Sequence, residues 1–182
     1  MQRRGFGFRR PPANPNIPPA LQHAHEMMEL GNYAEAAAAF EQLAQAAENR
    51  HGPRAPFLFM QAGRARLLHK ETAQGMKHFR HGLELFAQSG RYHQLYRAGA
   101  YAIRDLKARG LEKEAAEIAS LLQGNIPAIS ESPTQRGPDP ARINLPSHCP
   151  FCGGPLRSDE VEWIDTATAE CTFCGSPVRA EN

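Results

Sequence analysis

The stretch Gly31-Asn32-Tyr33-Ala34-Glu35-Ala36, followed by Phe40, decides how the chain folds. Its elements return as Gly110-Leu111-Glu112-Lys113-Glu114-Ala115 with Ala119, and a weaker copy centres on Gly75 with Phe79. The small residues Ala36, Gly75 and Ala115 therefore stand 39 and 40 residues apart. A period of that length marks stacked helical units, none of which can bury its apolar face alone. Working outward, the apolar periodicity predicts six amphipathic helices over residues 19–30, 33–49, 56–69, 72–89, 92–109 and 112–123. Breaks are expected at Gly31, Gly52-Pro53, near Lys70, Gly90 and Gly110. Proline agrees: of the 15 in the chain, five fall within residues 11–19, and none between Phe57 and Ile126. Because Pro removes a donor and clashes with the preceding turn, the centre is free to be helical and the flanks are not.

The pattern resembles the tetratricopeptide repeat over roughly residues 18–123. Gly31, Tyr33, Ala36 and Phe40 fit its turn and second helix, while Ala24 and Met27 occupy its small and large packing positions in the first helix. A second unit keeps Gly63, Gly75, Phe79 and Gly82 but has Lys70 at the turn, and a third keeps Gly110 and Ala115 with Ala119 in place of the aromatic. The resemblance implies an all-α array of three helix hairpins with a divergent last pair as a cap. It also implies a concave partner-binding face, which here would carry His25, Met28, Met60, Arg64, Leu67, Arg97, Arg104 and Lys107. That face is apolar at one end and basic at the other, suited to a protein or peptide partner with an acidic and hydrophobic segment.

At the carboxyl end stand Cys149-Pro150-Phe151-Cys152-Gly153-Gly154 and Cys171-Thr172-Phe173-Cys174-Gly175-Ser176, two C-x-x-C-G knuckles separated by 18 residues. Each tight turn can present two thiolates to one ion, so Cys149, Cys152, Cys171 and Cys174 are read as the ligands of one structural Zn²⁺. The same thiolates could hold mononuclear iron, and a single C-x-x-C pair could serve redox chemistry. With four protein ligands the site is closed, leaving no coordination position for a catalytic water. The pattern is similar to zinc ribbons with rubredoxin-type knuckles over about residues 145–179, a small β-rich module. The insert 156–170 reads as a short hairpin with Trp163 in the module's core, and His148 as a neighbour of the site rather than a ligand.

The formal net charge of +2 conceals segregation. Residues 1–19 carry Arg3, Arg4, Arg9 and Arg10 without an acid, whereas residues 147–182 hold six acids against two Arg. The acidic ribbon, bearing Asp159, Glu160, Glu162, Asp165 and Glu170, could dock on the basic helical face. The tail's mixture of Arg, Gly and Phe could contact RNA, an anionic membrane surface or a protein. His78/His81 and His23/His25 invite a metal reading, but with no third ligand near them they read as ordinary histidines. Phosphate loops, Ser/His/Asp sets and paired catalytic carboxylates are absent from the sequence, so the expectation is a protein that is not an enzyme. Apolar runs are too short to cross a bilayer, and a cytoplasmic location is expected.

The expected division is a disordered basic tail (1–18), a helical repeat domain (19–123), a flexible linker (124–145) and a zinc ribbon (146–182). The order of repeats then ribbon resembles bacterial regulators of envelope-lipid synthesis, although their amino-terminal membrane anchor has no counterpart in this sequence. The expected function is an interaction adaptor; the alternatives are a nucleic-acid-associated regulator using tail and ribbon, and a thiolate-metal redox or metal sensor.

Overall fold

The computed structural model describes residues 17–124, 145–158, 161–171 and 173–180. Nearly all of the basic tail, the linker residues 125–144, Asp159 and Glu160 lie outside the described residues. Six helices fill the first part: α1 (Pro19–Glu29), α2 (Tyr33–Glu48), α3 (Ala55–Leu68), α4 (Thr72–Gln88), α5 (Tyr92–Ala108) and α6 (Glu112–Gly124). Each agrees with its expected segment to within one residue at either end. Pro19 and Pro56 fall in the first two positions of α1 and α3, where a missing N–H has no helical partner to lose.

All five turns between helices close in one way. A residue of positive φ follows each helix: Gly31, His51, Lys70, Gly90 and Gly110, at +51° to +79°. The next N–H then returns to the carbonyl five residues back, as in Asn32 to Met27, Gly52 to Ala47 and Glu71 to Arg66, at 2.8–2.9 Å. Lys70 therefore does what glycine does elsewhere, in a backbone conformation that costs an L-residue roughly 1–2 kcal/mol. Offset by glycine's greater freedom when unfolded, Lys70→Gly is expected to gain about 0.5–1 kcal/mol, read as a higher urea midpoint at unchanged slope.

Small residues let the helices of each hairpin approach. Ala24 and Ala36, and Ala102 and Ala115, are almost wholly buried. Between α3 and α4 the contact is backbone to backbone: a Cβ on Gly63 would lie 2.9 Å from the Gly75 carbonyl oxygen, and one on Gly75 would lie 2.9 Å from that of Gly63. Phe40 and Phe79 fill the spaces beside the first two hairpins. In the last pair Ala119 leaves the aromatic's place open, and Leu122 packs on Gly99 instead, where a Cβ would meet its methyl groups at 2.6 Å.

The polar faces are tied as well. Arg66 of α3 grips Glu41 of α2 with two parallel bonds of 2.7 and 2.8 Å and also pairs with Glu71. His78 Nε2 lies 2.7 Å from Glu41, and His81 Nε2 lies 2.8 Å from Glu48. These histidines of α4 thus hold carboxylates of α2. Hydrogen bonding from Arg66 keeps the Glu41 carboxyl below its ordinary range despite partial burial. A carboxyl depressed in this way contributes stability above its unfolded value, lost as pH falls through the folded one.

Three short antiparallel strands complete the fold: β1 (Glu162–Trp163), β2 (Thr168–Glu170) and β3 (Pro177–Arg179), in the order β1-β2-β3. Trp163 pairs with Ala169, and Ala169 with Val178. The β1-β2 hairpin is the expected one, whereas β3, with only three residues after the second knuckle, gave no periodic signal. Trp163 corrects the sequence reading. It is half-buried, and the core of the module is built by Leu156, Ala169, Val178 and the four cysteines. That core is continuous with Ile17, Leu21, Ala24 and Phe40 of the helical part, so helices and cysteine module share one apolar cluster.

Candidate metal centre and the adjoining cleft

The two knuckles are near copies of one another. Gly153 N–H donates to the Cys149 carbonyl at 2.9 Å, and Gly175 N–H to that of Cys171 at 2.8 Å. Cys149 N–H donates to the Gly154 carbonyl and Cys171 N–H to that of Ser176, closing each loop from the other side. The turns need φ of +75° at Gly153 and +69° at Gly175, which is why glycine follows each C-x-x-C. Backbone N–H groups of Phe151, Gly154 and Phe173 point at the sulfurs of Cys149, Cys152 and Cys171, each at 3.4 Å, while Ser176 Oγ lies 3.3 Å from Cys174 Sγ.

All four sulfurs lie within 4.8 Å of one another and are buried. Cys149 and Cys174 are 3.8 Å apart and Cys152 and Cys171 3.7 Å, so no disulfide joins them. A tetrahedron of sulfurs about 2.3 Å from a central ion has edges of about 3.8 Å, and the cluster meets that geometry. The protons tell the same story. Hydrogen bonding within the cluster pushes the Cys152 and Cys171 thiols up and pulls Cys149 and Cys174 down, because four like charges cannot share one small volume. A dication at the centre removes that conflict. The residues fit a metal ion. His148 is not among the ligands: its Nε2 lies 3.5 Å from Glu29 of α1 and its Nδ1 3.1 Å from Ser147 Oγ.

The centre is seated on the helices. Glu170 of β2, almost fully buried, pairs with Arg97 of α5 at 2.9 Å. Phe173, between the second pair of ligands, meets the His25 ring edge-on at 5.5 Å, and His25 meets Phe40 at 5.2 Å. Burial lowers the His25 pKa to about 4. The unfolded chain then binds the extra proton between pH 6.5 and 4, so stability falls as pH falls through that window, by up to about 3 kcal/mol. His25→Leu is expected to reduce the slope of melting temperature against pH between 6.5 and 4, compared with the unaltered protein.

Between α3, α5 and the ribbon lies a cleft of about 430 Å³. Four residues of the expected concave face line it: Met60, Arg64, Arg97 and Arg104. The others do not meet there. His25 is covered by the ribbon, Leu67 belongs to the buried core, Met28 packs at the α1 end, and Lys107 is exposed beyond the cleft. Arg64 and Arg104 both lie over the ring of Tyr101, their guanidinium carbons 5.5 and 5.0 Å from its centroid. No family model, curated protein or solved structure matches the chain.

Sequence reasoning missed Tyr101 and Phe57. Tyr101 stands four residues after Arg97 and three before Arg104, a spacing that puts all three on one helix face. Phe57 offered no such signal, since its partner is Gly175, where a Cβ would meet the Phe57 ring at 2.5 Å.

Proposed function

We propose that the protein is a non-enzymatic interaction adaptor: a tetratricopeptide-like array of three hairpins carrying a structural zinc ribbon. The repeat reading is supported by small buried residues at matching hairpin positions, Ala36, Gly75 and Ala115 five residues after each turn residue and Ala24 and Gly63 seven before it, with the buried Ala102 of the third hairpin one residue out of step. Zinc is the proposed ion because a closed set of four thiolates suits it; iron in the same cage would give visible thiolate absorption and appear in metal analysis.

The observation that carries the adaptor reading is the basic pair Arg64 and Arg104 at the cleft where helices and ribbon meet. Among the described residues neither Arg64 nor Arg104 is paired with a carboxylate. An acidic, partly apolar segment of a partner would find both charge and apolar surface there. The proposed setting is the cytoplasm. Affinity capture with the intact protein should recover partners that are lost with Arg64→Glu/Arg104→Glu, while unchanged partners would remove the pair from the reading.

A further inference from the structure

Of the four buried side-chain polar atoms left without a hydrogen-bond partner among the described residues, three belong to residues around the cleft: Gln61 Oε1, Arg64 Nε and Glu170 Oε1. Gln61 Oε1 and Glu170 Oε1 are acceptors, whereas Arg64 Nε is a donor; an unmet buried donor costs about 1–3 kcal/mol, and it is this atom that calls for an acceptor in the cleft. Arg64 and Arg104, both over the Tyr101 ring, bring two guanidiniums to this cleft, and an anion bound there would meet charged donors from both α3 and α5. Arg97 adds no third, since it is committed to Glu170.

Apart from Gln94, the rest of the cleft is apolar. Phe57, Met60, Phe79 and Ala98 from the helices face Val161 and Phe173 from the ribbon. Its volume of about 430 Å³ lies in the lower part of the range of small-molecule pockets, roughly 300–1,000 Å³. Toward α1 the helical face is occupied by the ribbon, where Phe173 meets His25 and Ile17 covers Gly153. The space left holds a compact body rather than a strand laid along all the helices.

We infer that this cleft is a binding site for a small amphipathic oxyanion, with its carboxylate or phosphate between Arg64 and Arg104 and one ring or short aliphatic chain against Phe57, Met60 and Phe79. The site is composite: helices supply the cations and floor, and the metal-bearing module supplies the roof. It shares Arg64 and Arg104 with the partner-binding reading but is tested apart from it, because it concerns a small molecule bound by the protein alone.

The test is calorimetric titration of the full-length, metal-loaded protein at low salt. The probes are 3-phenylpropionate and phenyl phosphate; the controls are 3-phenylpropanol, acetate and inorganic phosphate. The acid is expected to bind at least about tenfold tighter than the alcohol, a difference of about 1.4 kcal/mol, within reach of charge-assisted hydrogen bonds. The preferred head group is named by whichever of 3-phenylpropionate and phenyl phosphate binds more tightly. Arg64→Gln/Arg104→Gln should abolish the acid's advantage, with circular dichroism confirming the fold, and the exposed single change Arg104→Gln should reduce it. Lys107→Gln, outside the cleft, should leave it unchanged. Equal binding of acid and alcohol, acetate or inorganic phosphate binding as well as its phenyl counterpart, saturable binding indifferent to the arginine changes, or no saturable binding of either probe would each overturn the inference.

Discussion

Cys149→Ser combined with Cys171→Ser is expected to abolish stoichiometric metal binding and to unfold residues 145–180. One ligand is lost from each knuckle, and the remaining two sulfurs, Cys152 and Cys174, cannot complete a tetrahedral shell. The strands of this segment are two or three residues long, and without the cysteines the apolar side chains buried in the segment are Leu156, Ala169 and Val178. The proposed zinc would contribute on the order of 10–16 kcal/mol to folding such a unit, far more than those contacts provide. Helical ellipticity should persist, because the cluster centred on α3 to α6 contains no ribbon residue. The melting temperature should nevertheless fall, since Ile17, Leu21 and His25 lose their cover. A strong chelator should reproduce both effects in the unaltered protein. An unchanged melting temperature after metal loss would show that the shared core contributes nothing to the helices.

The second large effect is expected at the α3–α4 contact. Gly63→Ala places a Cβ 2.6 Å from the Phe79 ring and 2.9 Å from a backbone oxygen, and Phe79 is too buried to move aside. Overpacking of this kind costs about 1–3 kcal/mol, against the roughly 1 kcal/mol by which helices favour alanine over glycine. The net loss should appear as a lower denaturant midpoint. Gly63→Ala with Gly75→Ala attacks both sides of one contact and should lower the midpoint further, the loss reaching up to about 4 kcal/mol in all, a large fraction of a total stability of about 5–15 kcal/mol. Gly124→Ala is the control: a Cβ there meets nothing, and stability should be unchanged or slightly higher.

These two sites also mark what was legible in the chain. The helices were, because Gly31, Gly90 and Gly110 end them with a local signal and the apolar stripe between has a fixed period. The cysteine cage was, because C-x-x-C-G is itself a local geometry and its duplication states the ligand number. The seat of the ribbon was not. It depends on shape across long separations in the chain, such as the Phe57 ring against Gly175 and Glu170 against Arg97, and neither pair leaves a periodic trace. The concave-face residues show the same limit. Repeat alignment identified Arg64 and Arg104 as neighbours on one surface, but only the docked ribbon turns that surface into a cleft and hides His25. Trp163 was misplaced because composition alone assigns the largest aromatic to the interior, whereas here the sulfurs do part of that filling.

One detail of the knuckles bears on time rather than energy. Gly153 lies under Ile17, whose methyl would be 3.2 Å from an added Cβ, and Gly175 lies under the Phe57 ring, so each backbone loop that cradles sulfur is lidded by a side chain from the helical part. These side chains cover both loops, so a competing chelator reaches the ion more readily when they move away. The half-life of the metal in excess chelator then becomes a clock for how often the two parts separate, and it would tick faster in Phe57→Ala than in the unaltered protein even if affinity for the ion changed little.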